Sequence, residues 1–471
     1  MPVDREAVRS NALYLREVRP IDPEEIAAYV PEYPDPRVVR QVLREEAFDL
    51  ALAERPDGTF VPAGTGPFRP AFDGVRALPQ AYADRLTDLL VETYGPDWYQ
   101  GEEGASLRST IKRLKADYYR QHDVEYDFHV AIAYAIYHLA DYYATTQYVL
   151  ASLAEDDLLP HQARILDVGA GVGGPALGIH DFYAPESPTD ESIPIVDYHA
   201  VEPSEAADVL DWLLGATGDN FYRSIHRETA EAFDSGMEFD IVLFSAVLSE
   251  LESPVDVLGR YLEFLATDGT LISIAPADRN TSIHLREVER AIEAHGGTVY
   301  GPTVRLWPGG RPSDECWSFD EQPDIEVPSF QERLATTAER PSEFTNTSIK
   351  YSHSFVRLDG RRRHEMDLSE TAVAKMAEMD RHVSNRIDLV AAKLSNDLGT
   401  AGHPLFKVSD GSERTSHFAV LVNETSLNVD LRTAEYGDLL SFERVLALWN
   451  EDEGAYNLVV DDETIVDRFP S

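Results

Sequence analysis

The alternating glycines of residues 165–174 form a pattern that is typical of ligand-binding loops. The stretch reads Ile-Leu-Asp-Val-Gly-Ala-Gly-Val-Gly-Gly, so a short apolar run ends in Asp167, and Gly169, Gly171 and Gly173 follow at alternate positions. A strand that leads through glycines into a helix lets backbone approach a ligand where any side chain would collide. The first N–H groups of the following helix are unpaired and can bind polar ligand atoms. We therefore expect a ligand at this loop, with Asp167 ordering the loop and facing a ligand ammonium group.

The same glycines fit two cofactor patterns. Asp-x-Gly-x-Gly-x-Gly is the pattern of class I S-adenosylmethionine (SAM) methyltransferases. Gly169, Gly171 and Gly174 also satisfy Gly-x-Gly-x-x-Gly, the fingerprint of dinucleotide-binding proteins. A glycine-rich turn without a ligand is the third interpretation. The loop by itself therefore predicts a nucleotide-type cofactor and leaves its identity open.

Two further positions lie where neighbouring strands would end. Residues 195–201 predict the second strand, and Glu202 follows it, where a carboxylate can accept hydrogen bonds from both ribose hydroxyls of a cofactor. An acidic, proline-containing insertion over residues 180–192 accounts for a spacing from the glycine loop that exceeds the usual ~20 residues. Residues 239–245 predict the fourth strand. In a SAM enzyme its last residue, Ser245, would lie near the methyl group.

The elements that must position these residues follow an α/β pattern. Residues 1–125 carry helical periodicity, and a helix rich in Tyr and Ala over 127–154 leads into the strand before the glycine loop. The tyrosines of that helix are expected mostly to pack against the sheet. From residue 163 strands and helices alternate, which predicts a doubly wound, Rossmann-like sheet. We expect a domain over residues 126–360, with an irregular insertion at about 302–341.

Residues 361–471 predict a separate C-terminal module. Residues 368–398 read as a helix, and short strands recur from residue 417 onward. Short strands of this kind predict a small β-rich module, which we interpret as an OB-like barrel, a fold that can bind RNA.

The amino-acid composition indicates the cellular environment of the protein rather than any reaction that it catalyses. Formal net charge is −43, from 84 acidic and 41 basic residues, yet 43% of residues are hydrophobic, which excludes a disordered acidic chain. Acidic excess with scarce lysine indicates adaptation to molar salt, as in the cytoplasm of an extreme halophile. At such salt the Debye length falls to about 3 Å or less, so the negative charge does not exclude a nucleic-acid partner. No apolar run approaches the ~18 residues of a membrane span, and no signal peptide is recognised, so we expect a soluble, cytoplasmic protein.

Two groups of positive charge stand out against this acidic background. Residues 106–122 predict a helix with basic residues interleaved with tyrosines, and a basic turn follows residue 360. RNA phosphate contact and a merely solvated helix face are equally compatible with the first group. The candidate RNA-binding residues are Lys112, Arg113, Lys115, Arg361, Arg362 and Arg363.

Four stretches resemble the ribosomal small-subunit methyltransferase-like family, which includes mitochondrial small-subunit assembly methyltransferase-like proteins and relatives in archaea and bacteria. The stretches are Ala-Tyr-Ala-Ile-Tyr-His-Leu-Ala-Asp-Tyr-Tyr at 133–143, Leu-Asp-Val-Gly-Ala-Gly at 166–171, Phe-Ser-Ala-Val-Leu-Ser-Glu-Leu at 244–251 and Lys-Tyr-Ser-His-Ser-Phe-Val-Arg-Leu at 350–358. The resemblance covers roughly residues 125–360. It implies a seven-stranded, class I SAM-methyltransferase fold and a role with the small ribosomal subunit, with rRNA as the acceptor. The cofactor-binding residues are then expected to be Asp167, Gly169, Ala170, Gly171, Gly173, Glu202 and Ser245.

The chain departs from that family in one region. Many relatives carry cysteines after the fifth strand that hold a four-iron four-sulfur cluster, whereas this chain has only Cys316. A thiolate-ligated cluster needs about four cysteines, so we expect no iron–sulfur cluster and no other metal. Cys316 is then most simply a small buried residue, and a single cysteine also excludes a disulfide within this chain. We expect no disulfide-linked partner.

No residue in the sequence identifies itself as catalytic. Enzymes that methylate base nitrogens often grip the flipped base with an Asn-Pro-Pro-Tyr-type motif after the fourth strand, where this chain has Ser-Ala-Val-Leu from Ser245. Methyl transfer remains feasible, because SAM is already activated and the protein chiefly orients the acceptor. The alternatives are an assembly factor that binds SAM and RNA without transferring a methyl group and, more distantly, an NAD-dependent oxidoreductase.

Overall fold

A computed structural model describes residues 3–120, 122, 124–184, 193–399 and 402–470. The α-helices of these residues are α1 (Arg5–Leu15), α2 (Pro23–Tyr29), α3 (Pro36–Glu46), α4 (Gln80–Tyr94), α5 (Gly101–Arg120), α6 (Phe128–Glu155), α7 (Gly174–Phe182), α8 (Ala206–Leu214), α9 (Pro254–Tyr261), α10 (Arg279–Ile292), α11 (Ser329–Thr336) and α12 (Asp430–Thr433). The β-strands are β1 (Leu52–Glu54), β2 (Phe60–Pro62), β3 (Gln162–Val168), β4 (Ile195–Val201), β5 (Phe221–His226), β6 (Phe239–Ser245), β7 (Leu265–Pro276), β8 (Thr298–Gly301), β9 (Asp320–Gln322), β10 (Ile349–Arg357), β11 (Arg386–Lys393), β12 (Leu405–Ser409), β13 (His417–Leu421), β14 (Leu439–Asn450), β15 (Ala455–Val460) and β16 (Ile465–Arg468). Across the residues described, no helix combines the length and the apolar character that a membrane crossing requires.

Aspartate caps set where several helices begin. Asp127 precedes α6, and its side chain accepts a hydrogen bond from the backbone N–H of Val130 at 2.8 Å. Asp22 and Asp35 cap α2 and α3 in the same way, and each is followed by a proline at the first helical position. Such caps pair N–H groups that would otherwise have no partner, which fixes the start of each helix.

The chain divides into two compact units, Met1–Val242 with Asp324–Ser348, and Leu243–Pro323 with Ile349–Ser471. The first unit contains α1 to α8, the β1–β2 hairpin and α11. Its parallel strands β4 and β5 pair in register beside β3, and the strand order is β5-β4-β3-β6. Every residue of β4 except Asp197 is buried. The mixed α/β pattern predicted from the sequence is confirmed, and the predicted boundaries at residues 125 and 360 stay predictions.

The second unit continues from the end of β6 with the strand order β6-β7-β10-β8. Strand β10 lies between β7 and β8 and is antiparallel to both. Seven of the nine β10 residues, from Tyr351 to Arg357, are buried without interruption, as expected for a strand covered on both faces. The predicted fourth strand has the bounds of β6, and the stretch at 350–358 that carries the family resemblance lies almost wholly in β10.

The second unit also contains a closed five-stranded barrel. Its strands follow the order β11-β12-β13-β15-β14, and β11 pairs with β14 to close it. Strands β13 and β15 are parallel, and the other neighbours around the barrel are antiparallel. Leu389, Phe406, Phe442 and Leu458 are among the buried side chains that fill the interior. The short strands predicted from residue 417 onward are therefore present, and the OB-like assignment stays a prediction.

The helix predicted over residues 368–398 is wrong. That segment contains a short 3-10 helix, Met376–His382, and strand β11. Its Ala, Leu, Lys and Met residues favour a helix, but β11 pairs with β12 on one side and β14 on the other, so the barrel closes only if this segment is extended.

Two other predictions change. Residues 302–341 are not wholly irregular, since they contain β9 and α11, and most of the insertion predicted at 180–192 lies outside the described residues.

Helices α6 and α7 approach closely because α7 presents glycines to α6. A Cβ added at Gly174 would lie 2.9 Å from the Cβ of Tyr142, and one at Gly178 would lie 2.6 Å from the carbonyl oxygen of Tyr143. These two glycines are four residues apart and therefore lie on one face of α7. The contact fixes the start of α7, and with it the glycine loop, against α6.

Gly178→Ala tests this contact. In an open helix, Gly→Ala stabilises by roughly 1 kcal/mol. Here the added methyl would strike a backbone carbonyl and separate the helices, so we expect a loss of roughly 1–3 kcal/mol in the free energy of unfolding, measured by urea titration. Gly236→Ala is the control, because nothing lies within 4 Å of a Cβ at Gly236. A Gly178→Ala protein as stable as the control would contradict the close packing.

Candidate functional site

The glycine loop connects the buried end of β3 to α7. Gly169, Gly171 and Gly173 have φ values of 69°, 54° and 96°, a backbone conformation that other residues rarely adopt. The backbone N–H of Gly169 donates to the carbonyl oxygen of Val201 at 2.8 Å, and that of Ala170 donates to the same oxygen at 3.3 Å. These bonds attach the start of the loop to the end of β4. The structure therefore brings the predicted loop and the end of the second strand together.

The glycines of the loop have different roles. A Cβ added at Gly173 would lie 2.6 Å from the Cδ1 of Leu210 on α8, so this glycine is required by packing. A Cβ at Gly171 would meet only the carbonyl oxygen of Gly169, at 3.9 Å. Open space beside Gly171 is what a loop that receives a ligand needs. Ala170 is buried, and its methyl group belongs to the core.

Asp167 is fully buried at the end of β3 and is only partly paired. Its Oδ2 accepts a hydrogen bond from the hydroxyl of Tyr198 at 2.7 Å, and its Oδ1 has no partner within the described residues. Burial raises the pKa of Asp167 to about 7; the nearby Glu202 charge adds to this, and the Tyr198 hydrogen bond opposes it. A buried carboxylate with an unpaired oxygen is costly unless a donor reaches it. A cationic or N–H-bearing ligand group would supply that donor.

Glu202 follows β4 and is 7% exposed. Its Oε2 accepts a hydrogen bond from the backbone N–H of Gly171 at 2.9 Å, while its Oε1 accepts from the backbone N–H of Ser204 at 3.0 Å and from the Ser204 hydroxyl at 2.6 Å. Glu202 therefore braces the glycine loop as well as lying where a ribose would bind. Each carboxylate oxygen can accept more than one hydrogen bond, so binding hydroxyls is compatible with this brace.

Ser245 ends β6 in the second unit. Its side chain is 8% exposed, and its Oγ makes no hydrogen bond within the residues described. The next residue, Ala246, has φ 58°, which is uncommon for a residue with a side chain and often marks a functional turn. An orphaned hydroxyl beside a strained turn is consistent with the predicted cofactor contact at Ser245, which stays a prediction.

The predicted basic helix is α5, and two of its three candidate residues have partners within the first unit. Lys115 Nζ donates to the Tyr137 hydroxyl at 2.8 Å and to the carbonyl oxygen of Glu343 at 2.9 Å. Lys112 forms a salt bridge with the Glu343 carboxylate at 2.9 Å and remains largely exposed, as does Arg113. Lys115 therefore has a structural role, and Arg113 with Lys112 remains available to an outside partner.

The basic turn after β10 lies in the second unit. Arg361 is exposed, whereas Arg362 and Arg363 are half-buried. A guanidinium N–H of Arg362 donates to the carbonyl oxygen of Arg305 at 3.2 Å, and the backbone N–H of Arg363 donates to that of Tyr300 at 2.9 Å. RNA contact by these arginines stays a prediction.

Cys316 lies in a network of buried charges in the second unit. It is 1% exposed, as predicted, and burial raises the pKa of its thiol to about 12. Lys407 Nζ and Asp314 Oδ2 are 2.6 Å apart with both side chains 1% exposed, and Arg290 binds the other Asp314 oxygen at 2.9 Å. Within the described ranges, no cluster of three or more His, Cys, Asp or Glu side chains is arranged to hold a metal ion.

The segment before β9 covers one side of the barrel. Besides the Lys407–Asp314 pair, the indole N–H of Trp307 donates to Asp410 Oδ2 at 2.8 Å, and the backbone N–H of Ser313 donates to the carbonyl oxygen of Glu413 at 2.8 Å. The strand 2–3 face of an OB fold is the face that binds nucleic acid. Lys407 of β12 here pairs with the chain's own segment, which weakens the case for RNA at that position.

Sequence reasoning missed two parts of the site. Tyr198 lies on β4, and only the tertiary structure brings its hydroxyl to Asp167; an aromatic residue facing an acid across two adjacent parallel strands has no signature in the sequence. The second part is a hydrogen bond on α6. Asn346, more than 200 residues further along the chain, donates from its Nδ2 to Asp141 Oδ2 at 2.7 Å. Tyr143, expected to pack, is buried and donates to Asp181 Oδ2 at 2.7 Å.

Two domain-family models match the ends of the chain. A model described as "Domain of unknown function (DUF8157) N-terminal domain" matches residues 5–56, and one described as "Domain of unknown function (DUF8157) C-terminal domain" matches residues 377–469. The second match includes every strand of the barrel. No curated protein matches the chain.

The solved structures similar to this chain include proteins described as methyltransferases, all at low identity. A Pyrococcus horikoshii protein to which RNA methyltransferase activity is ascribed is 18% identical, with 46% of this chain and 83% of that chain covered and a TM-score of 0.28. A Thermoplasma acidophilum protein to which methyltransferase activity is ascribed is 14% identical, with 44% of this chain and 70% of that chain covered and a TM-score of 0.26. A SAM-dependent methyltransferase from Clostridium acetobutylicum is 10% identical, with 54% of this chain and 99% of that chain covered and a TM-score of 0.29. At TM-scores this low the likenesses do not establish an activity for this chain.

The buried Asp167 predicts an unusual pH dependence of stability. Its folded-state pKa, about 7, lies above the ordinary value of 3.8, so the stability it contributes is complete below about pH 4 and is lost as the pH rises through 7. Asp167→Asn should therefore stabilise the ligand-free protein at pH 8, by up to roughly 4 kcal/mol, and the difference from the parent should shrink as the pH falls to 5. Urea unfolding of both proteins at several pH values measures this difference in the free energy of unfolding.

Asp197→Asn is a matched control on the adjacent strand. Burial raises the pKa of Asp197, but hydrogen bonds from His199 and Arg164 outweigh burial and lower it overall. Its replacement should therefore destabilise the protein at pH 8, the opposite sign. A constant Asp167→Asn effect from pH 5 to pH 8 would show that Asp167 is not protonated near neutral pH.

Proposed function

We propose that this chain is a SAM-dependent methyltransferase that acts on the RNA of the small ribosomal subunit. The observation that supports it best is the loop after β3, where open space beside Gly171 lies next to a buried carboxylate, Asp167, with an unpaired oxygen. SAM carries an ammonium group, a ribose and a cationic sulfur, and when bound it supplies the methyl group. The ammonium group of SAM can supply the donor that Asp167 Oδ1 lacks. Glu202 can supply the acceptors that the ribose hydroxyls need.

The residues that would hold SAM are those of the loop and the two strand ends. Asp167 would face the ammonium group, Glu202 the ribose hydroxyls, and Ser245 the region of the methyl group. The remaining loop residues are Gly169, Ala170, Gly171 and Gly173, whose backbone would line the ligand.

The second unit favours a methyltransferase over an NAD-dependent oxidoreductase. Dinucleotide-binding sheets of the doubly wound type are parallel, with the order 3-2-1-4-5-6. Here β10 lies between β7 and β8 and is antiparallel to both. A reversed strand inserted next to the last position is not part of the dinucleotide-binding pattern, and it agrees with the seven-stranded sheet that the family resemblance implies.

Two features support the small ribosomal subunit as the partner. The first is the resemblance over residues 125–360 to the small-subunit methyltransferase-like family. The second is the pair Lys112 and Arg113, exposed cations on α5 in a chain with net charge −43. The acidic composition supports a halophilic cytoplasm as the setting, where high salt screens the repulsion between the protein and RNA.

An assembly factor that binds SAM and RNA without transferring a methyl group is the second candidate. The sequence after β6, Ser245-Ala-Val-Leu, lacks the amide and the aromatic ring that grip a flipped base in many base methyltransferases. The two candidates share every cofactor contact and differ only in whether an acceptor is bound beside the methyl group.

Gly171→Asn tests the cofactor assignment. Asparagine tolerates a left-handed backbone, so the loop should keep its conformation at φ 54° while the side chain fills the open space. We expect SAM affinity, measured by calorimetry, to fall at least 50-fold, with the melting temperature of the ligand-free protein nearly unchanged. Gly236→Asn is the control and should bind SAM like the parent. Unchanged affinity in Gly171→Asn would remove the cofactor assignment.

Methyl transfer itself is tested with SAM labelled on its methyl group. Small subunits from a strain that lacks this gene serve as acceptor, and the label is followed into RNA and into protein. Label in RNA that is lost with Gly171→Asn supports the proposed enzyme. Binding of SAM without incorporation into either polymer supports the non-catalytic assembly factor instead.

Arg113→Glu tests the RNA contact separately from the fold. Arg113 is exposed, so charge reversal should leave the melting temperature within a degree or two of the parent while it weakens association with small subunits. Because phosphate contacts release counterions, the loss should be larger at low than at high salt in sedimentation assays. Lys115→Met is the contrasting variant, since it should lower stability. Equal sedimentation of Arg113→Glu and parent protein would make α5 a solvated face.

A further inference from the structure

Three rings on one face of α6 form an aromatic surface. Tyr134, His138 and Tyr142 are spaced by four residues, which places them along one side of the helix. The ring centroids of Tyr134 and His138 are 4.7 Å apart, those of His138 and Tyr142 are 5.5 Å apart, and the Tyr134 and Tyr142 rings lie within 11° of parallel. All three side chains are half-buried, and Tyr126 packs edge-on against Tyr134, with 5.6 Å between the ring centroids.

A set of polar side chains lies along the same face. Their N–H donors are hydrogen-bonded, whereas two of their acceptor atoms are not. Asp141 Oδ2 lies 3.0 Å from His138 Nδ1 and 2.7 Å from Asn346 Nδ2, and Asn346 Nδ2 also donates to the carbonyl oxygen of Tyr137 at 3.2 Å. Two acceptors facing the Asn346 nitrogen fix the amide orientation, and a carboxylate facing His138 Nδ1 requires the proton there. Asn346 Oδ1 and His138 Nε2 are then acceptors, and neither has a partner in the part of the chain that the structure describes.

This face lies next to the glycine loop. Tyr142 contacts the first turn of α7, where a Cβ added at Gly174 would be 2.9 Å from its Cβ. Gly174 follows directly on Gly173, the last of the alternating glycines. All of these residues belong to the first unit, so the aromatic surface and the loop are positioned by one compact body.

We propose that this face of α6 is the acceptor subsite, and that it binds a nucleobase with an exocyclic amino group. The rings of Tyr134 and Tyr142, which are within 11° of parallel, provide the stacking surface, since stacking on aromatic side chains is how proteins hold unpaired bases. The two free acceptors, Asn346 Oδ1 and His138 Nε2, match the two N–H groups of an adenine or cytosine amino group and not the carbonyl oxygens of uracil. The proposal rests on the proposed function, because it names the acceptor of that same site.

The subsite supplies what the segment after β6 lacks. An amide and an aromatic ring are the groups that grip a flipped base, and both are present here on α6 and at Asn346 instead of after the fourth strand. Asp141 acts as a positioning residue, because it holds the Asn346 amide and the His138 ring in the orientation that frees their acceptors.

The probe for stacking is a short single-stranded RNA with one 2-aminopurine, a base with an exocyclic amino group whose fluorescence is quenched when it stacks. We expect saturable quenching by the parent protein. Tyr134→Leu and Tyr142→Leu should weaken it at least fivefold, whereas Tyr134→Phe and Tyr142→Phe, which keep the ring, should stay within twofold. Tyr14→Leu, which removes a 76% exposed ring on α1, is the control for non-specific stacking.

SAM affinity is measured on the same variants by calorimetry, so the acceptor and the cofactor are tested separately. Weakened quenching with SAM affinity within twofold of the parent supports the subsite. Loss of SAM affinity in parallel with quenching would assign the rings to the cofactor, and quenching equal to the parent in both Leu variants would make them packing residues; either result overturns the proposal. Failure of the parent protein to bind SAM while quenching persists would overturn the proposed function and not the base-binding surface.

Base selectivity tests the polar group. Adenosine and cytidine monophosphates should displace the probe at concentrations at least fivefold lower than uridine monophosphate does. Asn346→Leu, which removes the acceptor oxygen Oδ1, should remove that preference, and His138→Gln should reduce it. Equal displacement by the three nucleotides with the parent protein would overturn recognition of an amino group.

Discussion

The close approach of α7 to α6 is the constraint on which the candidate site depends. Gly174 and Gly178 leave no room for a side chain between the two helices, so the start of α7 is fixed relative to α6. The glycine loop therefore has one position, and Tyr142 contacts Gly174, the residue that follows Gly173. Without this contact, the loop after β3 would have no fixed relation to the aromatic face of α6, and the proposed acceptor could not be held at a defined distance from the proposed cofactor.

Around that contact, the loop is held by hydrogen bonds and not by side-chain bulk. Val201 and Glu202 at the end of β4 bind the N–H groups of Gly169, Ala170 and Gly171. The space next to Gly171 stays open because its neighbours are backbone atoms. Asp167 remains incompletely paired beneath the loop, and burial raises its pKa. Such a carboxylate stores unfavourable electrostatic energy that a cationic ligand would relieve, which is a common property of binding sites.

In the second unit, buried ion pairs surround the one cysteine. Lys407, Asp314 and Arg290 are joined by hydrogen bonds, and Arg286 and Glu289 form another pair, with 0% and 1% of their side chains exposed. Ion pairs of this kind add little net stability compared with apolar packing, but removing one partner leaves a buried charge uncompensated. The Lys407–Asp314 pair therefore fixes how the segment before β9 lies on the barrel. Buried charges and backbone hydrogen bonds hold this region.

The local features could be predicted from the sequence alone: the strand–glycine–helix loop, the acid after β4, the bounds of β6 and the single buried cysteine. Each depends on residue types that are close together in the chain, and turn chemistry and hydrophobic periodicity are local. Only the tertiary structure decided that residues 386–393 form a strand, because barrel closure overrides their helical propensity. It also decided that Lys115 binds Tyr137 and Glu343, that Tyr198 meets Asp167, and that Asn346 joins the face of α6. These pairs join residues from about 20 to more than 200 positions apart, and nothing in the local sequence encodes such a meeting.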